Sequence, residues 1–226
     1  MTCRILVLIS GSGTNLQALI DDLGSNPVDG EIVAVLSNRA DAQGLERARR
    51  AGIPALAVDN RDYADRETYD QALIAEIDRF EPDLVLLAGF MRILTEKFVT
   101  HYRGFLLNIH PSLLPKYKGL HTHQRAIDAG DTEHGSTVHF VTQELDGGPL
   151  VLQAVVPVLN GDTPVTLASR VQRQEHDLYP VVMRWFIQGR LRLVEGRACL
   201  DGHPIPPAGL VMNELNNDMR EHPYAS

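Results

Sequence analysis

Across the first part of the chain, short apolar runs alternate with longer segments of helical period. Ile5 to Ile9 is followed by Asn15 to Leu23, Ile32 to Leu36 by Ala42 to Ala51, and Ala55 to Val58 by Glu67 to Phe80, after which comes Leu84 to Ala88. The short runs show no polar alternation, which is the mark of strands buried on both faces, and the segments between them repeat their apolar residues as amphipathic helices do. This pattern predicts a doubly wound α/β fold, a mostly parallel sheet with helices on both faces. Gly52 closes the second helix and Pro54 prevents its continuation. The stretch from Gly135 to Val158 reads as a hairpin, so the sheet is expected to be mixed.

A long helix is predicted from Pro164 to Gln188, with Thr163 as N-cap and Pro164 in its first turn. Leu167, Val171, Leu178, Val182 and Trp185 recur along it at helical spacing, a stripe that suits the core, and Pro180 is expected to bend it. Leu191 to Val194 and Ala198 to Leu200 read as a terminal strand pair. Beyond Pro206 the periodicity fades. The expected organisation is one domain over 1–207 and a flexible C-terminal tail over 208–226, with Met212 to Ser226 its least patterned part.

Composition narrows the function classes. The 226 residues carry 21 basic and 29 acidic side chains, a net charge of -8, which is a poor field for nucleic acid. The two cysteines, Cys3 and Cys199, are too few for a disulfide framework or a cysteine metal cluster and suit a reduced compartment. No apolar run approaches the roughly 20 residues that span a bilayer, and the opening runs into a glycine turn rather than a cleavage site. The expectation is a cytoplasmic protein of small-molecule substrates, without nucleic-acid or membrane partners.

Three constellations could carry chemistry. In Leu106 to Gly119, Asn108 and His110 occupy alternate positions of an apolar strand and so share a face, where an amide and an imidazole could meet one atom bearing a developing negative charge. Ser10-Gly11-Ser12-Gly13-Thr14-Asn15 joins the first strand to a helix beginning near Leu16. Such a loop can cradle a phosphate on backbone N–H groups, or can be a plain strand-to-helix turn. As a dinucleotide fingerprint it is defective, because Leu16 replaces the third glycine and the second strand ends in Ser37-Asn38 rather than an acidic residue, so a phosphate monoester fits better. The third is Asp146, in Glu144-Leu145-Asp146-Gly147-Gly148-Pro149 after a strand predicted over His134 to Thr142. It is either a turn former or a carboxylate that orients His110 and favours its charged form.

Weaker signals surround these. His121 and His123 could bind zinc with His110 and Asp146, but they lack a helical His-Glu-x-x-His arrangement, and surface or structural roles suit them better. Gln172, Arg173, Gln174 and Glu175 form a polar block that is either a solvated helix face or a place where Glu175 holds an amine. Met91-Arg92-Ile93-Leu94 follows a strand at its carboxyl end, where open α/β sheets bind ligands and where main-chain groups could pair with a flat heterocycle.

Together, Ser10 to Asn15, Ala88 to Leu94, Asn108 to Pro115 and Glu144 to Pro149 resemble the folate-dependent phosphoribosylglycinamide formyltransferases of purine synthesis, and the likeness runs from Ile5 to about Pro207. The loop carries Ser12 and Thr14 where relatives often have Asn and Ser, which preserves hydrogen bonding. The resemblance implies a Rossmann-like formyltransferase fold, a monomer or homodimer, and formyl transfer from 10-formyltetrahydrofolate, as co-substrate and without metal, to the amine of glycinamide ribonucleotide. It also implies a catalytic trio of Asn108, His110 and Asp146. Gly13, Thr14 and Asn15 would hold the ribonucleotide phosphate, and Gln172 to Glu175 its sugar and amine. The folate would meet Arg66, Met91, Arg92, Ile93, Leu94, Asn108, Thr142, Gln143, Glu144, Leu145 and Asp146.

Other readings are expected to fail. The His-Pro-Ser-Leu-Leu-Pro run at 110–115 also marks formyltetrahydrofolate hydrolases and methionyl-tRNA formyltransferases. The former resemblance would bring an N-terminal regulatory domain before the first strand, and the latter a basic C-terminal domain. A binding module that had lost the chemistry would lack Asn108, His110 or Asp146, and all three are present.

Overall fold

The computed structural model describes residues 1–212, which divide into two compact units: 1–108 with 141–143, and 109–140 with 144 onward. In the first unit the predicted alternation is realised as β1 (Cys3–Ile9), α1 (Thr14–Ser25), β2 (Gly30–Ser37), α2 (Gln43–Arg50), β3 (Ala55–Ala57), α3 (Arg66–Asp78) and β4 (Leu84–Leu87). Two further elements follow, α4 (Glu96–His101) and the first three residues of β5 (Leu106–His110). The strands are parallel in the order β3-β2-β1-β4-β5.

The unbroken apolar runs explain this layer. Ile5 to Ile9 and Leu84 to Leu86 are fully buried, and Leu6, Leu8, Val85 and Leu87 pack with Tyr69, Leu73 and Ile77 of α3 and with Phe98 and Tyr102. The chain builds outward from β1 through β2 to β3 and then returns to the other side of β1 as β4. The carboxyl ends of β1 and β4 therefore flank a topological switch point, the place where such sheets bind ligands. Helix α3 starts in a capping box between Asp65 and Thr68.

Helix α4 is not foreshadowed by the sequence pattern. Its six residues are too few to display a helical period, and tertiary contacts hold it instead: Asp70 Oδ2 accepts the Thr95 N–H at 2.6 Å, and the Tyr102 hydroxyl donates to Asp78 at 2.8 Å.

The second unit takes the last two residues of β5, then α5 (Thr122–Asp128), β6 (Glu133–Phe140), β7 (Leu150–Pro157), α6 (Pro164–Ile187) and the short strands β8 (Leu191–Val194), β9 (Arg197–Leu200), β10 (His203–Pro204) and β11 (Leu210–Val211). The strand order is β5-β6-β7-β11, with β6 and β7 antiparallel and β11 parallel to β7, so the mixed character expected from the hairpin is present. Gly135 permits this pairing, since a Cβ there would lie 1.9 Å from the Ala154 carbonyl. Strand β6 ends at Phe140, two residues before the expected Thr142.

Helix α6 has the predicted cap, with Thr163 and Thr166 in a capping box, and the predicted stripe buried; Pro180 lies inside it without ending it. Strands β8, β9 and β10 form a separate antiparallel sheet. Of the tail expected from 208, Leu210 and Val211 pair with Leu152 and Gln153 of β7, and 213–226 lie outside the described residues.

Candidate active site

In the second unit the chemistry gathers at the carboxyl end of β5. His110, 6% exposed, has Nε2 at 3.0 Å from the Tyr117 carbonyl and Nδ1 at 3.5 Å from Asp146 Oδ2. A carbonyl only accepts, so Nε2 carries a proton, and a second proton on Nδ1 would be turned toward the carboxylate. Asp146 sits in the left-handed region (φ 48°), and its Oδ2 also accepts the Gly119 N–H at 2.8 Å. The structure thus pairs His110 with Asp146, and the carboxylate is more than a turn former.

A third group completes this cluster, one the sequence did not single out. His139 of β6 is buried, with Nδ1 2.9 Å from the Phe140 carbonyl and Nε2 3.9 Å from Asp146 Oδ1. The carbonyl fixes the proton on Nδ1, and burial pushes the pKa of this ring down to about 4. The signal available in the sequence was slight: in the apolar run Val138 to Val141 a lone histidine reads as a core residue until Asp146 is seen beside it.

The loop between β5 and α5 is tied to the Asp146 loop and to its own base. Lys118 Nζ lies 2.7 Å from Glu144 Oε1, the Tyr117 hydroxyl donates to Asp131 at 2.7 Å, and Lys116 reaches Asp131 at 3.0 Å. These donors hold the Asp131 carboxyl below the usual range. The two histidines of the His-x-His pair diverge. His121 is an exposed, left-handed residue at the start of α5, whereas His123 Nδ1 lies 3.1 Å from Nε2 of buried His134. His134 also bonds the Pro111 backbone, and desolvation takes its pKa to about 4 and lowers that of His123. Among the described residues no three His, Cys, Asp or Glu side chains converge as metal ligands.

The polar block on α6 divides. Gln172 and Arg173 are exposed, and Glu175 is buried in register with Val171 and Leu178.

In the first unit, Ser10 at the end of β1 donates to Asn38 Oδ1 at 2.5 Å and accepts the Met91 N–H at 2.7 Å, joining the ends of β1, β2 and β4. Gly13 is the N-cap of α1 with φ 70°, and a Cβ on it would lie 2.6 Å from the Gly44 Cα. Thr14 opens the helix and Asn15 is buried behind it. Met91 and Ile93 are exposed apolar side chains, Leu94 packs on the core, and Arg92 lies over the Tyr69 ring at 4.6 Å. Arg66 is exposed at the first turn of α3, and Thr142 and Gln143 follow β6 in half-buried and exposed positions. Asn108, half-buried, is two residues from His110 along β5, so strand alternation turns both side chains to one side.

Comparison with known proteins places the chain among its relatives. Residues 3–183 match the formyl transferase family. The chain is 58% identical over 211 residues to the phosphoribosylglycinamide formyltransferase of Escherichia coli (strain K12), covering 93% of this chain and 100% of that one. It is 49% identical to the enzyme of the same name from Haemophilus influenzae, covering 91% and 97%. Among solved structures, that of the Coxiella burnetii phosphoribosylglycinamide formyltransferase in complex with CHES superimposes with a TM-score of 0.89 at 49% identity, covering 93% of this chain and 99% of that one.

Proposed function

The chain belongs to the formyl transferase family, and from that premise we propose that it transfers the formyl group of 10-formyltetrahydrofolate to the amine of glycinamide ribonucleotide, giving formylglycinamide ribonucleotide and tetrahydrofolate in de novo purine synthesis. The observation that carries this reading is the buried pairing of His110 with Asp146 at a strand end. In the proposed reaction the amine nitrogen attacks the formyl carbon, a new C–N bond forms, and the carbonyl oxygen becomes an oxyanion. Asn108 donates to that oxyanion, the positive charge of the protonated His110 ring beside it stabilises it, and Asp146 orients the ring. Collapse of the intermediate breaks the bond from the formyl carbon to the folate nitrogen, which takes the proton the amine gives up.

The substrate contacts follow residue by residue. Gly13, Thr14 and Asn15 hold the ribonucleotide phosphate on the backbone at the start of α1. Gln172 to Glu175 serve its sugar and amine, with Glu175 a buried carboxylate suited to an ammonium group. Arg66, Met91 to Leu94, Asn108 and Thr142 to Asp146 hold the folate, and the exposed apolar side chains of Met91 and Ile93 suit a flat heterocycle. We assign this activity to a formyltransferase domain over 1–207, acting in the cytoplasm on small molecules as a monomer or homodimer. No helix among the described residues is long and apolar enough to cross a membrane.

The test is the conversion of 10-formyltetrahydrofolate to tetrahydrofolate, followed with and without glycinamide ribonucleotide. Turnover that needs the ribonucleotide is expected. Equal turnover without it would make water the acceptor and overturn the transferase assignment.

A further inference from the structure

The glycine loop after β1 is held from behind by α2. Gly44 N donates to the Gly11 carbonyl at 3.0 Å and Arg47 Nε to the Ser12 carbonyl at 2.7 Å, while within α1 the Gln17 N–H donates to the Gly13 carbonyl at 3.0 Å. Three successive carbonyls are thereby fixed. In a planar trans peptide the C=O of one residue and the N–H of the next point in opposite directions, so fixing the Gly11 and Ser12 carbonyls turns the Ser12 and Gly13 N–H groups away from α2. Among the described residues neither amide donates to a protein acceptor. The contact is close enough to demand glycine on both sides: a Cβ on Gly44 would lie 2.5 Å from Ile9 Cδ1 and 3.1 Å from the Gly13 Cα. The Arg47 guanidinium also reaches Gln17 Oε1 at 3.4 Å, so one side chain ties the loop to the first turn of α1.

We infer that Arg47, with Gly44, is a positioning residue for the substrate phosphate: it grips the loop by its carbonyls and so presents the Ser12 and Gly13 amides as a preformed anion cradle. The inference rests on the reading that this loop takes the phosphate of the ribonucleotide. Arg47 acts through the Ser12 peptide, and its planar fork can hold the Ser12 carbonyl and Gln17 at once, which a lysine ammonium on a flexible stem does poorly.

The experiment compares the unaltered protein with Arg47→Met and Arg47→Lys. In the unaltered protein, inorganic phosphate is titrated while the Ser12 and Gly13 amide resonances are followed, and both should shift. In Arg47→Met those two resonances should already be displaced without phosphate. The KM for glycinamide ribonucleotide should rise about tenfold or more, as losing one charge-assisted hydrogen bond implies, while kcat and the KM for 10-formyltetrahydrofolate stay within about twofold. Arg47→Lys should fall between the two. An unchanged ribonucleotide KM in Arg47→Met overturns the inference. So does a raised KM with undisplaced free-state amides, because Arg47 would then touch the phosphate itself. If phosphate leaves the Ser12 and Gly13 amides of the unaltered protein unmoved, the reading of the loop fails first, and the transferase assay still judges the reaction separately.

Discussion

His110 turns one ring nitrogen to the Tyr117 carbonyl and the other toward Asp146, so the tautomer and the tilt of the ring are set by neighbours rather than by solvent. Removing the carboxylate charge while keeping its shape isolates that effect. Asp146→Asn should fold and bind both ligands nearly normally yet lose turnover by on the order of 10⁴-fold, as happens when a carboxylate that orients a catalytic histidine is neutralised; near-normal kcat in a steady-state assay would remove Asp146 from the mechanism. Asn108→Ala should lower kcat by about 10²- to 10³-fold and raise the KM for 10-formyltetrahydrofolate far less, the signature of a donor that matters most in the transition state. At Gly13 the constraint is steric. Gly13→Ala forces a side chain into a left-handed position already filled by Gly44, so the urea midpoint should show a loss of about 1–3 kcal/mol. The shared face of Asn108 and His110 was legible from strand alternation, whereas the pairing of His110 with Asp146 stood as one of two readings of an Asp-Gly turn until the family resemblance favoured it. The part played by His139 was not, since nothing local separates a core histidine from one facing a carboxylate on another loop.

Elements with strong local codes matched their expected positions. Helix α6 is specified by its cap and its stripe, and Thr163→Ala should cost about 1 kcal/mol in thermal or urea unfolding while leaving kcat unchanged, because the cap touches no proposed substrate contact. Strands β1, β2 and β4 declared themselves by unbroken apolar runs. The short elements did not. Helix α4 depends on Asp70 and Asp78 reaching across from α3, and β11 on pairing with β7, and no window of six or fewer residues carries such information.

For the molecule as a whole the buried histidines set an acid limit. His134 and His139 have pKa values near 4, and His123 is also lowered, all chiefly by desolvation. In the unfolded chain these rings titrate near 6.5, so between pH 6.5 and 4 the unfolded state binds more protons. The stability gained by keeping the rings neutral is complete above pH 6.5 and is lost as the pH falls toward 4. At pH 5 His134 should cost roughly 2 kcal/mol relative to pH 7.5, and His139 should add to the loss in the same direction. Urea unfolding at the two pH values measures this, and His139→Gln should flatten part of the slope; a midpoint that does not move would show that these rings are not neutral in the fold.

The sequence by itself determined the α/β class, the main strands and helices, the mixed sheet and the family resemblance, because strand and helix periods, caps and turn residues are written within a few positions of one another. Only the tertiary structure decided what faces what: His139 beside Asp146, His123 against His134, Glu175 on the buried stripe of α6, and Gly44 and Arg47 gripping the glycine loop from 33 to 35 residues away in sequence. Those placements depend on how separate elements pack, and they exist only once burial of the apolar layers has brought the segments together and removed the water that would otherwise satisfy their polar groups.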